Sequence, residues 1–156
     1  MGRAITSGKE EDDAMMDGTA RKIIQPPLDR IGTWLAARGV KADHVTLFAC
    51  LVGLAAAGLI TAGYMLVALM LIVISRICDG LDGSVARASQ KTDFGGYLDI
   101  TLDFVFYGAV PLAFIVYDPA ANALAGAALI FSFYVNGASF LAYAVVAEKR
   151  GLGTTA

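Results

Sequence analysis

The stretch that decides the fold is VTLFACLVGLAAAGLITAGYMLVALMLIVIS, residues 45–75, in which no residue carries a charge. A helix that spans a membrane needs about 20 apolar residues, so this run is too long for one span and too apolar for a loop. Gly63 and Tyr64 offer a turn near its middle. The sequence therefore predicts one helix over residues 45–62 and a second over residues 64–87.

Two further apolar segments follow, and they predict spans over residues 96–116 and 122–147. Asp118-Pro119 separates them and is expected to end the first of the two helices. Hydrophobic residues make up 57% of the 156 residues, more than the roughly half that is usual in a soluble domain. The fold class is thus all-α, a polytopic membrane helix bundle with about four transmembrane helices. No basic arm points to a nucleic acid partner.

The N-terminal region differs in composition from the rest of the chain. Residues 1–18 are polar and acidic and are predicted to form a disordered cytosolic tail, which leaves residues 19–156 as the membrane domain. Residues 19–39 carry apolar side chains at helical spacing, interrupted by Pro26-Pro27. This pattern predicts an amphipathic helix in the membrane interface, with Trp34 as an anchor. A surface helix of a soluble domain is the alternative interpretation.

Charge asymmetry predicts the orientation of the spans. The loops at residues 61–64 and 117–121 contain no Lys or Arg. Seven basic residues fall on the opposite side: Arg38, Lys41, Arg76, Arg87, Lys91, Lys149 and Arg150. Because positive residues remain in the cytosol, both termini of this chain are expected there, in a bacterial inner membrane or its equivalent.

Four carboxylates lie inside the predicted spans: Asp79, Asp82, Asp99 and Asp103. Acidic residues at such positions are costly, so they indicate function. Asp79 lies roughly 22 Å from the outer end of its helix at 1.5 Å per residue. In a hydrocarbon core about 30 Å thick, that depth is close to the cytosolic boundary. Asp99 and Asp103 occupy the first turns of the next helix, which starts at the same boundary.

The spacing of these carboxylates places each pair on one face of its helix. Asp79 and Asp82 are three residues apart, and Asp99 and Asp103 are four apart. The short connection predicts that the two helices are antiparallel neighbours, so that the four groups converge. Protonation, arginine pairing or a divalent cation could neutralise them. An all-oxygen site suits Mg²⁺, Mn²⁺ or Ca²⁺.

Small residues and an arginine accompany the first carboxylate pair. Gly83 and Ala86 share its stripe and leave room for a ligand, and Arg87 follows one turn beyond. Arginine binds phosphate oxygens bidentately, so the group fits a metal-bound diphosphate. Glycines that only permit close helix packing, and an arginine that only anchors lipid headgroups, are the alternatives.

These residues resemble the motif of the CDP-alcohol phosphotransferase family, D-x2-D-G-x2-A-R-x7/8-G-x3-D-x3-D. The sequence runs DGLDGSVAR from Asp79 to Arg87, then after seven residues Gly95, after three more Asp99, and after three more Asp103. The resemblance implies that Asp79, Asp82, Asp99 and Asp103 bind metal, with Mg²⁺ or Mn²⁺ in a dinuclear site. It implies further that Asp103 is the general base.

The same resemblance extends to the substrates and the assembly. It implies that Asp43, Gly83, Arg87 and a polar residue before Gly95, Thr92 or Asp93, contact the cytidine diphosphate moiety. The activity implied is transfer of a phosphatidyl group from a CDP-linked lipid, such as CDP-diacylglycerol, to a small alcohol or lipid acceptor, with release of CMP. A homodimer is implied as well. Family members usually have six membrane helices, so the chain is expected to be truncated at its C-terminus.

Two other classes of protein are alternatives to this enzyme. An ion- or proton-coupled transporter fragment also uses intramembrane carboxylates, but it predicts them near the midplane beside broken helices. A membrane scaffold protein has no need of four clustered acids.

Overall fold

The computed structural model describes residues 23–151, which are helical apart from short connections. The helices are α1 (residues 23–36), α2 (Ala42–Thr61), α3 (Met65–Ala88), α4 (Asp93–Tyr117) and α5 (Pro119–Lys149). The predicted all-α membrane bundle is confirmed, and each of the four predicted spans ends within three residues of the observed helix. The predicted tail, residues 1–18, lies outside the described residues.

Local sequence signals explain where the helices begin and end. Gly63 adopts a φ of 83° in the turn between α2 and α3, a conformation that glycine reaches without the clash of a Cβ. The Thr92 side chain accepts a hydrogen bond from the Gly95 amide at the start of α4. Asp118 ends α4, and its side chain caps α5, where Pro119 occupies the first turn.

Helix α2 lies against both α3 and α4, while α5 packs on α4. The sequence predicts that α3 and α4 are antiparallel neighbours; among the described residues no Cα of α3 lies within 8 Å of a Cα of α4, so their backbones do not pack directly on each other. The two helices that carry the carboxylates are held by α2 and face each other across a gap. Arg76 of α3 reaches across to Asp103 and Phe106 of α4. Nearer the turn between α2 and α3, apolar residues of both helices, Ala68 and Ala113, share one core cluster with α2.

Gly53 explains how α2 can approach both partners. A Cβ at this position would lie 2.6 Å from Cδ2 of Phe106 on α4 and 3.0 Å from Oγ of Ser75 on α3. The Ser75 hydroxyl donates a hydrogen bond of 2.8 Å to the carbonyl of Ala49. A side chain at position 53 would therefore push the two flanking helices apart, which is the usual reason for small residues at membrane helix crossings.

Helix α1 crosses the C-terminal half of α3. A Cβ on Gly32 would lie 2.7 Å from Cβ of Ser84, so the two backbones nearly touch there. The described helix also continues through Pro26 and Pro27, contrary to the predicted interruption.

The outer surface of the bundle is apolar, as expected for contact with lipid. Helices α2, α4 and α5 are long and apolar enough to cross a membrane by length and composition. Helix α3 has 24 residues but carries several charges in its C-terminal half, so its assignment as a fourth span stays a prediction. Leu66 and Leu124 are 69% and 86% exposed, which suits lipid-facing positions.

Candidate active site

Three of the four predicted carboxylates meet across the gap between α3 and α4. Oxygen atoms of Asp79, Asp99 and Asp103 lie within 4.8 Å of one another, and all three residues are partly buried. Asp99 and Asp103 are one turn apart on α4, so both face the side of α3 that presents Asp79. The convergence predicted from the sequence spacing is therefore present for these three carboxylates.

Asp82, the fourth predicted carboxylate, is held differently. It is only 6% exposed, and its Oδ2 accepts a hydrogen bond of 2.6 Å from the Thr46 hydroxyl. Thr46 is on α2 and also donates to the carbonyl of Ala42. Helix α2 therefore does more than join α3 to α4, because it fixes the orientation of one acidic side chain of the site.

Arg76 is a site residue that sequence analysis missed. Its Nη1 donates to Oδ1 of Asp103 at 2.9 Å and lies 3.4 Å from Oδ2 of Asp79. Its guanidinium carbon is 3.9 Å from the centre of the Phe106 ring, a distance typical of a cation–π contact. One arginine on α3 thus contacts carboxylates of both helices. Its place three residues before Asp79 was visible in the sequence but was used only to assign the orientation.

Asp103 has a second neighbour on its other oxygen. The hydroxyl of Tyr107 lies 3.4 Å from Oδ2 of Asp103, a long hydrogen bond. The Tyr107 ring stacks on Phe133 of α5, with ring centres 5.1 Å apart. The two oxygens of Asp103 therefore face different groups, Arg76 and Tyr107.

A cavity of about 460 Å³ opens beside the acidic cluster. Asp82 and Asp99 line it, together with three of the four residues predicted to bind the nucleotide: Asp43, Gly83 and Arg87. Asp93, the fourth, is not among the lining residues, whereas Thr92, the alternative named with it, is. Thr92 precedes the helix that Asp93 begins, and its hydroxyl lies 2.9 Å from the Gly95 amide nitrogen.

Gly95 leaves room at one edge of this cavity. A Cβ on Gly95 would lie only 3.0 Å from Oδ1 of Asp43 and from Oγ1 of Thr92, whereas one on Gly83 would lie at an ordinary contact distance of 3.5 Å from Nη1 of Arg87. A side chain at position 95 would therefore crowd Asp43.

Arg87 is tied to the N-terminal helix. Its Nη2 donates to Oδ1 of Asp29 on α1 at 2.9 Å and to Oγ of Ser84 at 2.8 Å. The hydrogen bond from Arg87 lowers the pKa of the Asp29 carboxyl, and one from Gln25 adds to this. The pair is about half exposed, so Arg87 can exchange this carboxylate for a phosphate at little cost.

The donor set fits a divalent cation. Three carboxylates crowd together in a partly buried space, and among the described residues Arg76 is the only cation that contacts them. Such a group is stable when protonation or further positive charge offsets the repulsion. Oxygen ligands of this kind are those that Mg²⁺ and Mn²⁺ prefer. The arrangement can therefore hold metal next to a cavity that has an arginine for a phosphate.

Comparison with known proteins gives one family. The protein-family model described as CDP-alcohol phosphatidyltransferase matches residues 40–155 of this chain. Inner membrane protein YnjF of Escherichia coli is 43% identical over 136 residues, which are 87% of this chain and 66% of that protein. No solved structure matches the chain.

Two archaeal proteins named archaetidylinositol phosphate synthase are also similar. The one from Pyrococcus horikoshii is 34% identical over 84 residues, 53% of this chain and 45% of that protein. The one from Methanothermobacter thermautotrophicus is 37% identical over 91 residues, 58% of this chain and 43% of that protein. The chain thus spans between two fifths and two thirds of the length of these curated relatives.

Proposed function

This chain belongs to the CDP-alcohol phosphatidyltransferase family, and we propose that it transfers a phosphatidyl group from a CDP-linked lipid to an alcohol. CDP-diacylglycerol is the proposed donor, and CMP is released. The observation that carries the proposal is the cluster of Asp79, Asp99 and Asp103, whose oxygens lie within 4.8 Å of one another. It adjoins a cavity that is also lined by Arg87.

Asp79, Asp99 and Asp103 would hold Mg²⁺ or Mn²⁺, and we propose two ions, with Asp82 as the further ligand. When bound, the ions supply positive charge that neutralises the diphosphate and stabilises the departing CMP. Thr46 orients Asp82 for this role through its hydrogen bond of 2.6 Å.

Asp103 would act as the general base. It takes the proton of the acceptor hydroxyl, the hydroxyl oxygen forms a bond to the lipid-side phosphorus, and the bond from that phosphorus to the CMP oxygen breaks. CMP leaves with the electron pair. Arg76 donates to Oδ1 of Asp103, so this oxygen can accept the proton only after that contact opens.

Arg87 would bind phosphate oxygens of the donor, with Asp43 and Gly83 beside the nucleotide. These three residues line the cavity, which supports the proposal. Asp93 is proposed as a further nucleotide contact with Thr92 as its alternative. The depth that the sequence predicts for the carboxylates, near the cytosolic boundary of the membrane, agrees with such a substrate. A CDP-lipid keeps its tails in the bilayer and its diphosphate at that boundary.

The names of the archaeal relatives guide the choice of acceptor. Two of them are called archaetidylinositol phosphate synthase, so an inositol phosphate is the first acceptor to test. Glycerol 3-phosphate, serine and a phospholipid follow.

We also propose the setting of the enzyme. The chain is an integral membrane protein, and the basic residues at the connections before α2 and after α3 favour a cytosolic active site with both termini of this chain on the same side. A homodimer is proposed from family membership.

The transporter hypothesis is not favoured. It predicts helices that are broken at the carboxylates, whereas α3 and α4 are continuous over Met65–Ala88 and Asp93–Tyr117.

The test is CMP release by the purified protein in lipid nanodiscs that contain CDP-diacylglycerol. We expect release only when Mn²⁺ or Mg²⁺ and an acceptor from the panel are both present, and loss of release in EDTA. Proton or ion flux in liposomes without any CMP release would contradict the proposal and favour a transporter.

A further inference from the structure

Arg76 occupies a position that the proposed chemistry does not use directly. It is a cation among carboxylates that are expected to bind cations. The Nη1 atom contacts two of them, Oδ1 of Asp103 at 2.9 Å and Oδ2 of Asp79 at 3.4 Å. These two residues belong to different helices whose backbones do not pack on each other. The guanidinium is thus a link across the gap between α3 and α4.

The way in which Arg76 is held suggests that this link can open. Only one of its nitrogens serves both carboxylates, so the paired hydrogen bonds that make arginine–carboxylate contacts strong are missing. Nη2 reaches only the Ser75 hydroxyl, at 3.4 Å. Within the described residues, the Nε atom is buried without a hydrogen-bond partner, which is unfavourable. Contact with the Phe106 ring at 3.9 Å supports the flat guanidinium instead.

The contacts of Arg76 overlap with those of a metal ion. A cation bound by Asp79 and Asp103 would draw on the oxygens that Nη1 now contacts, and it would be repelled by the positive charge beside them. Two cations with the same partners compete, and their affinities are coupled by a free energy that acts in both directions.

We propose that Arg76 is the internal countercharge of the metal-free site, which holds Asp79 and Asp103 together until metal displaces it. This proposal rests on the metal site of the proposed function. Arg76 is a positioning residue: it lowers the affinity for metal and in exchange prevents the two helices from separating while the site is empty of metal. A residue that simply oriented metal ligands would do the opposite and raise the affinity.

The test is the affinity of the whole purified chain for Mn²⁺, measured from the electron paramagnetic resonance signal of the free ion. We expect Arg76→Met to bind Mn²⁺ about tenfold more tightly than the wild type, within the range usual for coupled sites. The melting temperature of the variant in EDTA should fall, and the rise on adding Mn²⁺ should exceed that of the wild type. An unchanged or weaker affinity in the variant would overturn the proposal.

Two further variants keep the experiment decisive. Arg76→Gln removes the charge but keeps a hydrogen-bond donor for Asp103, so it decides the question if Arg76→Met does not fold. Its affinity for Mn²⁺ should also rise, and an affinity at or below that of the wild type would overturn the proposal equally. Arg38→Met is the matched control, because Arg38 stacks on Trp34 at 3.4 Å and does not contact the carboxylates. Its affinity should equal that of the wild type.

The outcomes separate this proposal from the one on which it rests. Mn²⁺ binding by the wild type with no gain in either Arg76 variant overturns the role of Arg76 and leaves the metal site standing. Absence of Mn²⁺ binding in the wild type and in both Arg76 variants overturns both. Binding that is seen only after Arg76 is replaced supports both.

Discussion

Helix α3 carries two arginines that pair with carboxylates in different surroundings. Arg76 belongs to an inner cluster with Asp79, Asp99 and Asp103, and its side chain is 29% exposed. Arg87 forms an outer pair with Asp29 of α1, and its side chain is 46% exposed. The distance from nitrogen to oxygen is 2.9 Å in both closest contacts. The two contacts are equally short, but we expect the inner one to be stronger, because solvent screens the more exposed outer pair more than the inner one.

The difference suits two kinds of ligand. The inner cluster has an excess of negative charge, so a bound metal ion would reduce the repulsion between its carboxylates. The outer pair is neutral and close to water, so Arg87 can leave Asp29 for a phosphate without exposing an unpaired charge in an apolar place. One helix thus presents a cation site and an anion site about three turns apart, the separation of residues 76 and 87 at 3.6 residues per turn.

The largest effect is expected from Asp103→Asn in the inner cluster. Loss of the general base should lower CMP release by about 10²- to 10⁴-fold, while CMP binding, measured by calorimetry at saturating Mn²⁺, is retained because three carboxylates for the metal remain. Thr101→Val is the control on the same helix, because the Thr101 hydroxyl donates only to the carbonyl of Tyr97. Undiminished release by Asp103→Asn would refute the assignment of the base.

The next effect concerns the energy of the inner contact. A double-mutant cycle with Arg76→Gln and Asp103→Asn, measured by SDS-induced unfolding in EDTA, should give a coupling free energy of about 1 to 3 kcal/mol. This lies between the values for an exposed pair and a fully buried one. The same cycle on Arg87 and Asp29 should give a clearly smaller coupling, because both side chains are about half exposed. Equal coupling free energies in the two cycles would contradict the claim that the inner contact is stronger than the outer one.

A smaller effect is expected when the outer arginine is changed. Arg87→Gln should raise the KM for CDP-diacylglycerol by about tenfold, since a hydrogen bond to a charged group contributes roughly 1.5 kcal/mol or more. Arg87→Lys should recover only part of the loss, because an ammonium lacks the planar fork of the guanidinium. A KM that does not change in Arg87→Gln would remove Arg87 from the donor site.

The smallest effect is expected from Asp29→Asn. The Arg87 guanidinium holds the pKa of Asp29 below its ordinary value of 3.8. The pair therefore stabilises the fold above pH 3.8, and this contribution is lost as the pH falls through the lowered pKa. The melting temperature of the wild type should slightly exceed that of the variant at pH 7 and should equal it at a pH well below 3.8. A difference that grows on acidification would contradict this sign.

Much of this architecture could be predicted from the sequence because it depends on local signals. The uncharged run at residues 45–75 and the breaks at Gly63 and Asp118-Pro119 determine the helices. The spacing of Asp99 and Asp103 places both on one face of α4, which requires only helical geometry.

The contacts between helices could not be predicted in the same way. Helices α2, α4 and α5 are apolar on most of their faces, so the sequence does not tell which face of each meets which neighbour. The position of α2 between α3 and α4 depends on the close approach at Gly53, and the pairing of Arg76 with Asp103 joins residues 27 positions apart. The contact of Arg87 with Asp29 spans 58 positions. Each depends on packing that no local pattern encodes.

The inner carboxylates are proposed to hold metal for a cytidine nucleotide in the adjoining cavity. The measurement that tests this most directly is the melting temperature of the purified chain with increasing CMP, in Mn²⁺ and in EDTA. A ligand that binds only the folded state raises this temperature with its concentration. We predict a rise with CMP in Mn²⁺ and none in EDTA. An equal rise in EDTA, or no rise in Mn²⁺, would contradict the claim.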